Sequence, residues 1–330
     1  MTDADNLDNA QKIQLALNSW FITGATASGK SAASLRLAEQ VDGEIISLDS
    51  MAIYQGMDIG TAKVSVEIQN QVPHYLIDVL PPTQLFSVTQ YRDAAIQKIL
   101  DIRSRGKQPI FVGGTALYLK AMLRGIFDGP PADPEFREAI EDELQDVELA
   151  ELHKRLQLVD PISAQKLHPN DKRRIIRALE VFKTTGEPIS HLQNEFETSH
   201  SPDDCKVFTL RHQRESLHRR IQDRVDHMFA SGLVDEVQSL LDRHKELGKT
   251  ASQAVGYREV IQHLAGEHDL EETKQLVLYR TRQFARHQET WFRGLPECQM
   301  IDLDPSLEGT EISSLVVEQC YKKLDDQASI

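Results

Sequence analysis

Residues 24–31 read GATASGKS, a letter-for-letter match to the pattern GxxxxGK[ST]. No other segment constrains the fold as strongly. Its glycines let the backbone curl so that successive N–H groups point inward and form a nest for an anion. Such a nest needs a strand leading in and a helix leading out, and the helix N-terminus adds partial positive charge. Both flanks are present. Residues 19–23 read as a short strand, and 31–40 as a helix with Leu35 and Ala38 on one side and Leu37 offset. Lys30 brings a full charge, and Ser31 a hydroxyl suited to Mg2+. Gly24, Ala25, Thr26, Ala27, Ser28, Gly29, Lys30 and Ser31 are therefore the expected polyphosphate site. The pattern marks a nucleotide-binding or ATP-binding loop, and equally a loop for another diphosphate. These residues alone leave that choice open.

The first half of the chain continues the alternation. Residues 44–48, EIISL, read as a second strand, 75–80 as a third apolar run after Pro73, and 109–112 as another strand before Gly113-Gly114. Ser87 and Gln90 have capping-box spacing and open a helix to about Arg105. Strand–helix alternation predicts an α/β fold, a parallel sheet flanked by helices of the P-loop NTPase kind. After Gly125 the character changes. Residues 128–134, DGPPADP, have linker composition, and only helical patterns follow to about Gly186. Residues 207–210 read as one more strand and 215–293 as helices again. A helical block between strands of one sheet reads as an inserted all-helical subdomain over 128–200. The catalytic core is then expected at 18–127 and 201–300, with 1–17 and 301–330 as terminal extensions.

Composition excludes several classes. The 330 residues are 40% hydrophobic and 27% charged, which is ordinary for a globular chain. No run of 18 apolar residues exists, so no membrane helix is expected. The acidic, non-basic start before Lys12 is unlike a leader peptide and suggests a cytoplasmic chain. Cys205, Cys298 and Cys320 lie at no CxxC spacing, and the 12 histidines include no HExxH, so zinc is not expected. The net charge of −14 argues globally against nucleic acid. The charge is uneven, however. Residues 133–151 hold nine acids and one base, whereas 171–177, 211–224 and 280–293 each carry a net charge of +3. Salt screens charges beyond about 8–10 Å, so a local basic patch can bind a polyanion on an acidic body.

Strand ends supply the chemistry. In a doubly wound sheet the C-terminal ends of strands face the ligand crevice. Asp49 ends the second strand there, across from the phosphate loop. It is placed to hold Mg2+ through water, to take a proton from an acceptor, or to cap the next element. Thr115, after the two glycines, offers a hydroxyl at the same crevice or caps the helix at 116–124. Arg220 and Arg224, one turn apart, either converge on a departing anion or form a solvated basic face.

Together these segments resemble the bacterial-type tRNA dimethylallyltransferases, also called tRNA isopentenyltransferases, from about Trp20 to Arg293. The loop GATASGKS is similar to that family's GPTASGKT, and 49–63, DSMAIYQGMDIGTAK, to its DSMQVYRGMDIGTAK. Residues 72–78 (VPHYLID), 112–118 (VGGTALY), 168–180 (HPNDKRRIIRALE), 255–257 (VGY) and 286–293 (RHQETWFR) match as well. Ala25 stands for the usual proline, Ala52 for glutamine, Ala116 for a common glycine and His287 for arginine.

The resemblance implies transfer of a dimethylallyl group from dimethylallyl diphosphate to N6 of the adenosine 3′-adjacent to the anticodon. It implies Asp49 as general base and Thr115 as its neighbour in holding geometry. The phosphate loop, with Mg2+ at Ser31 and with Arg220 and Arg224, would hold the diphosphate. A tRNA anticodon stem-loop would meet Asp49, Ser50, Met51, Ala52 and Thr115, and Arg137, Arg173, Arg174 and Arg177 in the helical insertion. It would also meet Gln253, Gly256, Tyr257 and Arg258, then Arg286, Gln288, Trp291 and Arg293. Extruding the acceptor base is the expected route to a buried site. Tyr257 and Trp291 are candidate stacking or wedge residues, with buried packing the simpler role for Trp291. The protein is expected to be a monomer. A small-molecule kinase would use the same loop and Asp49 but leave the basic helices at 171–177 and 280–293 without a task. A nucleotide-dependent RNA-binding switch is the remaining alternative, although no NKxD guanine reader is present.

Overall fold

The structure, a computed structural model, describes residues 7–127, 129–192, 199–307 and 309–328. Five strands come first, four of them short, largely buried runs of the kind that a two-sided parallel sheet holds and the third a half-buried pair of residues. They are β1 (Trp20–Gly24), β2 (Gly43–Ser47), β3 (His74–Tyr75), β4 (Gln108–Val112) and β5 (Lys206–His212). With β6 (Gln299–Leu303) they form one sheet in the order β3-β2-β4-β1-β5-β6, every pair parallel.

The period of two along each strand divides the core. Phe21, Ile46, Phe111 and Val207 join one apolar cluster, and Trp20, Ile22, Ile45, Ile110 and Phe208 the other. Phe21 and Phe111, in register across β1 and β4, stack with centroids 4.6 Å apart. On the first face lie α1 (Asn9–Leu17), then, beyond α2 (Lys30–Val41) and α3 (Val66–Gln71), α4 (Val88–Ser104) and α5 (Ala116–Arg124). Helix α2 covers the second face through Ala33, Leu37 and Ala38. The expected capping box opens α4: Gln90 N donates to Ser87 Oγ at 3.2 Å, and Ser87 N to Gln90 Oε1 at 2.8 Å.

The chain divides into two compact units, Met1–Leu123 with Ser199–Ile330, and Arg124–Thr198. Among its described residues the second unit is helical: α6 (Pro134–Glu143), α7 (Leu149–Val159), α8 (Pro161–Lys166), α9 (Lys172–Thr185) and α10 (Ile189–Leu192). They close on their own apolar cluster, which includes Leu152, Leu156, Ile175 and Val181. The expected linker start at Asp128 and the segment 193–198 near the expected end of the insertion lie outside the described residues, as does most of the extension before α1. The first unit then adds α11 (Arg214–Ala230), α12 (Leu233–His244), α13 (Tyr257–Leu264), α14 (Leu270–Arg293) and α15 (Gly309–Ala328). Among the described residues no helix is long and apolar enough to cross a membrane.

Two sequence expectations differ from the structure. The run 75–80 is a strand only at His74–Tyr75, because Leu76 and Asp78 take positive φ of 60° and 55° and break it. The chain there instead follows 52–55: Asp78 N donates to Ala52 O and Val79 N to Ile53 O. Lys63 locks the bend through Asp78 at 2.5 Å and Asp58 at 2.7 Å. The second difference is in 301–330, which is more than an extension. Residues 301–303 complete β6 beside β5, and α15 packs on α2 through Ile312, Val316 and Cys320. Strand β6 reads QMIDL, too polar for its pattern to stand out. It is secured by Arg211, whose guanidinium grips Asp302 at 2.5 and 2.7 Å.

Candidate active site

Strand order assembles the site. Since β2, β4, β1 and β5 lie side by side and all point the same way, the segments after them emerge along one edge. These are Asp49 after β2, Gly113–Thr115 after β4, the phosphate loop after β1 and the start of α11 after β5. Close approach at that edge requires glycine. A Cβ on Gly113 would lie 2.2 Å from Leu48 O, and one on Gly24, whose φ is +137°, 2.6 Å from Leu210 O.

A cleft of about 820 Å³ opens above this edge. It is lined by residues 26–31 of the phosphate loop, Asp49, Ser50, Met51, Ala52, Thr115, Arg220, Arg224, Gln253, Tyr257 and Gln288. The loop turns through Ala27 and Gly29 at φ of 62° and 88° before α2 begins at Lys30. Lys30 Nζ folds back on Ala25 O at 2.6 Å and Gly24 O at 3.1 Å. Burial, then repulsion from Arg224, lower its pKa to about 7 against the pull of Asp49. A negative ligand in the cleft would restore that charge. Arg220 Nε donates to Ala27 O at 2.8 Å and Arg224 Nη2 to Thr61 O at 3.3 Å, so both arginines are held against the cleft wall. Ala25, lacking the family's proline ring, is buried with Leu217 and Ile221 of α11 and Val277 of α14.

Asp49 Oδ1 accepts the Met51 N–H at 2.8 Å, which fixes the carboxylate in a local turn. Its second oxygen accepts no hydrogen bond among the described residues. Thr115 Oγ1 accepts Ser50 N–H at 3.1 Å, and Thr115 N donates to Leu48 O at 3.1 Å, so the ends of β2 and β4 are bonded to each other. The cleft thus joins an anion nest, a carboxylate and a hydroxyl in one space.

A family model described as IPP transferase matches residues 52–295. The chain belongs to this family. It is 48% identical to the tRNA dimethylallyltransferase of Rhodopirellula baltica over 84% of this chain and 85% of that one. It is 49% identical to tRNA dimethylallyltransferase 1 of Trichlorobacter lovleyi over 85% and 92%. Its fold matches the solved tRNA isopentenylpyrophosphate transferase of Bacillus halodurans at a TM-score of 0.69 and 36% identity, covering 95% and 98% of the two chains. A eukaryotic dimethylallyltransferase acting on tRNA matches at a TM-score of 0.74 and 26% identity, covering 93% and 79%.

Not every residue expected from the family resemblance sits where expected. Tyr257 is fully buried, so it is no wedge: its ring lies against Gly60, where a Cβ would approach to 2.4 Å. Trp291, expected to pack inside, is 41% exposed. Gln288 is committed to protein backbone. Its Oε1 accepts Thr26 N–H at 2.9 Å and its Nε2 donates to Gly114 O at 2.8 Å, making it a strut between the two loops. Gly256, at φ of 94°, caps α13, and Arg258 does not line the cleft. Arg286 and Arg293 line a separate cavity.

In the helical unit Arg137 and Arg177 are engaged. Both donate to the buried Glu180 carboxylate, at 2.7 and 2.8 Å from Arg137 and 2.5 Å from Arg177. Arg177 also reaches Pro130 O at 2.7 Å. Burial opposes the Glu180 charge, yet these bonds hold its pKa below the usual carboxylate range. Arg173 and Arg174 are exposed, and Arg174 leans on Asp171 at 3.5 Å.

Glu236 is absent from the sequence reading and central to the structure. From α12 its Oε2 accepts the N–H groups of Asp58 at 3.0 Å and Ile59 at 2.7 Å. Its Oε1 accepts Gly60 N–H at 3.3 Å and Tyr257 Oη–H at 2.6 Å. This clamp holds the loop whose Thr61 carbonyl steadies Arg224. The only sequence signal was the length of the match over 49–63, which implied a loop with a fixed shape.

Proposed function

We propose that this chain transfers a dimethylallyl group from dimethylallyl diphosphate to N6 of the adenosine 3′-adjacent to the anticodon in tRNA. The observation that carries the reading is the single cleft uniting the anion nest of residues 26–31 with Asp49 and Thr115. Its relatives are named for this activity, and the eukaryotic neighbour acts on tRNA.

The geometry accounts for each step. The N6 lone pair is delocalised into the adenine ring and attacks poorly unless its proton is removed. As N6 bonds to C1 of the dimethylallyl group, the C1–O bond breaks and diphosphate carries off the electron pair. The N6 proton passes to the Asp49 oxygen that accepts no other bond. The Thr115 hydroxyl holds the Ser50 backbone and with it the approach to Asp49. Loop N–H groups, Lys30, Arg220 and Arg224 stabilise the charge that develops on the leaving diphosphate.

No cluster of three or more His, Cys, Asp or Glu side chains suited to a metal occurs among the described residues. The donor set in the cleft, the Ser31 hydroxyl with the Asp49 carboxylate nearby, fits Mg2+ that arrives with the diphosphate and keeps most of its waters. Mg2+ there would neutralise diphosphate charge. We further assign the exposed Arg173 and Arg174 to tRNA phosphate contact, with the helical unit 124–198 as an insertion in the catalytic core. We take the catalyst to be a monomer. We also assign the protein to the cytoplasm, where tRNA is available as a substrate. The deciding experiment incubates the protein with labelled dimethylallyl diphosphate and bulk tRNA. Label in the modified nucleoside without ATP supports the transfer. ATP consumption with ADP released in step with product points to a kinase instead.

A further inference from the structure

The phosphate loop and the Thr115 turn follow neighbouring strands. The β1–β4 register runs to Ile22 opposite Val112, and the ladder closes with Gly113 N donating to Ile22 O at 3.3 Å. Past that point the chain leaves both strands, one as the phosphate loop and the other as the turn into α5. A side chain from α14 spans the two. Gln288 is 7% exposed, and both ends of its amide are used, Oε1 by Thr26 N–H at 2.9 Å and Nε2 by Gly114 O at 2.8 Å. Thr26 N only donates and Gly114 O only accepts, so the partners fix which end of the amide faces which loop. The carboxamide thus does what one more peptide unit of the ladder would do. A carboxylate has no donor and a guanidinium no acceptor, so neither can replace it.

The turn itself is shaped to this amide. Gly114 is outside the left-handed region, so its backbone does not ask for glycine. Space does. A Cβ there would collide with Gln288 Nε2 and stand 3.3 Å from Gly24 O. The second glycine of residues 112–115, VGGT, therefore answers to a residue 174 positions further along.

From Gly114 the path continues to the carboxylate. Thr115 follows by a peptide bond. Its N–H donates to Leu48 O and its Oγ1 accepts Ser50 N–H, both at 3.1 Å, so Asp49 sits between two residues that are each tied to Thr115. Covalent and hydrogen bonds run without a break from the loop that would hold the diphosphate to the carboxylate that would take the proton.

We propose that Gln288 is a positioning residue for the transfer: its amide sets the spacing between the donor's diphosphate on residues 26–31 and Asp49. C1 of the donor, the attacking nitrogen and the base are thereby kept in line. The proposal rests on the transfer reading above. Gln288 acts through Thr26 and Gly114, and each substrate keeps its own binding groups. Its loss therefore falls on the chemical step, where a misplacement of about 1 Å costs about 10²-fold.

The test measures kcat, both KM values and Tm with labelled donor and tRNA. Gln288→Leu keeps the bulk and loses both bonds. It should lower kcat about thirtyfold to a hundredfold and leave both KM values within about threefold. Gln288→Glu keeps an acceptor for Thr26 but turns a carboxylate on Gly114 O, and should do no better. Gly114→Ala should lower kcat too, because its methyl drives the amide out. Gln288→Ala makes room for that methyl, so Gly114→Ala should cost far less in that background than in the parent, as expected of groups in contact. If Gln288→Leu does not fold, Gln288→Asn, shorter by about 1.5 Å and able to keep one bond at most, replaces it with the same expectation. A raised tRNA KM with parental kcat would make Gln288 a tRNA contact, and a lower Tm with parental kcat would make it structural only. Either overturns the proposal, as does additivity of the Gly114 and Gln288 changes in kcat. A second readout needs no transfer. Inorganic diphosphate is titrated into the amide-labelled protein and followed by NMR. The Thr26 and Thr115 amide signals should move together in the parent, and Thr115 far less in Gln288→Leu. An equal Thr115 response in both overturns the link. If the parent transfers no label, the transfer reading fails, and this titration alone judges Gln288.

Discussion

Replacing Glu236 tests whether the cleft is held in shape from outside. Its carboxylate accepts four hydrogen bonds, three from backbone N–H groups of 58–60 and one from Tyr257. Bonds to a charged acceptor contribute about 1.5–3 kcal/mol each when buried. This side chain is only half-buried and the freed N–H groups can reach water, so Glu236→Ala should cost about 2–4 kcal/mol in total. Glu236→Gln keeps one accepting oxygen and should cost about half as much. The loss falls on the loop ending at Lys63, whose Thr61 carbonyl accepts from Arg224. With Arg224 loosened, the KM for dimethylallyl diphosphate should rise about tenfold to thirtyfold, because 1.4 kcal/mol of lost binding is one decade. The KM for tRNA should change far less, while kcat should fall too, because Arg224 also stabilises the leaving diphosphate. Steady-state kinetics with labelled donor and a thermal melt of each variant decide the matter. A Glu236→Ala protein with parental donor KM and parental Tm refutes the clamp. A lower Tm with unchanged donor KM refutes its link to Arg224.

Three further outcomes are expected. Asp49→Asn should leave fold and tRNA binding intact and lower transfer by roughly 10²–10⁴-fold under saturating substrates, whereas a few-fold loss would remove Asp49 as base. Lys30, with its pKa lowered to about 7, is mostly neutral at pH 8, so inorganic diphosphate should bind there with proton uptake, read by calorimetry in buffers of different ionisation enthalpy and abolished by Lys30→Met. The same shift makes the empty protein gain stability as pH rises from about 7 towards 10.5, the range in which only the unfolded lysine holds its proton. Arg173→Ala should flatten the salt dependence of tRNA binding by about 0.7 without changing Tm, while Arg177→Ala should lower Tm because it removes one of the two arginines that neutralise buried Glu180.

Much of the candidate site was legible because its constraints are local. GATASGKS needs only its own glycines, a strand before and a helix after, all within about twenty residues. Asp49 and Thr115 could be placed because each follows an apolar strand, and strand ends in a parallel sheet share one edge. The Ser87–Gln90 cap was readable for the same reason, both bonds spanning three residues. Where partners are distant in sequence, the reading stopped. Arg177 looks like a phosphate ligand in the run KRRIIR until Glu180 is seen to be buried and shared with Arg137, 43 residues away. Gln288 sits in an arginine-rich segment, yet its amide spans 262 residues back to Thr26. Glu236 is one acid among many on α12, and only packing brings 58–60 against it. Strand β6 carries too few apolar residues to announce itself and is specified by β5 and Asp302. The sequence by itself determined the backbone shape of the phosphate loop and the order of strands and helices, because hydrogen bonding and φ preferences act between near neighbours. Tertiary structure alone decided which charged side chains face the cleft, which face the second cavity and which are spent on one another, because Coulomb and desolvation energies depend on distance and burial, and a chain's spacing records neither.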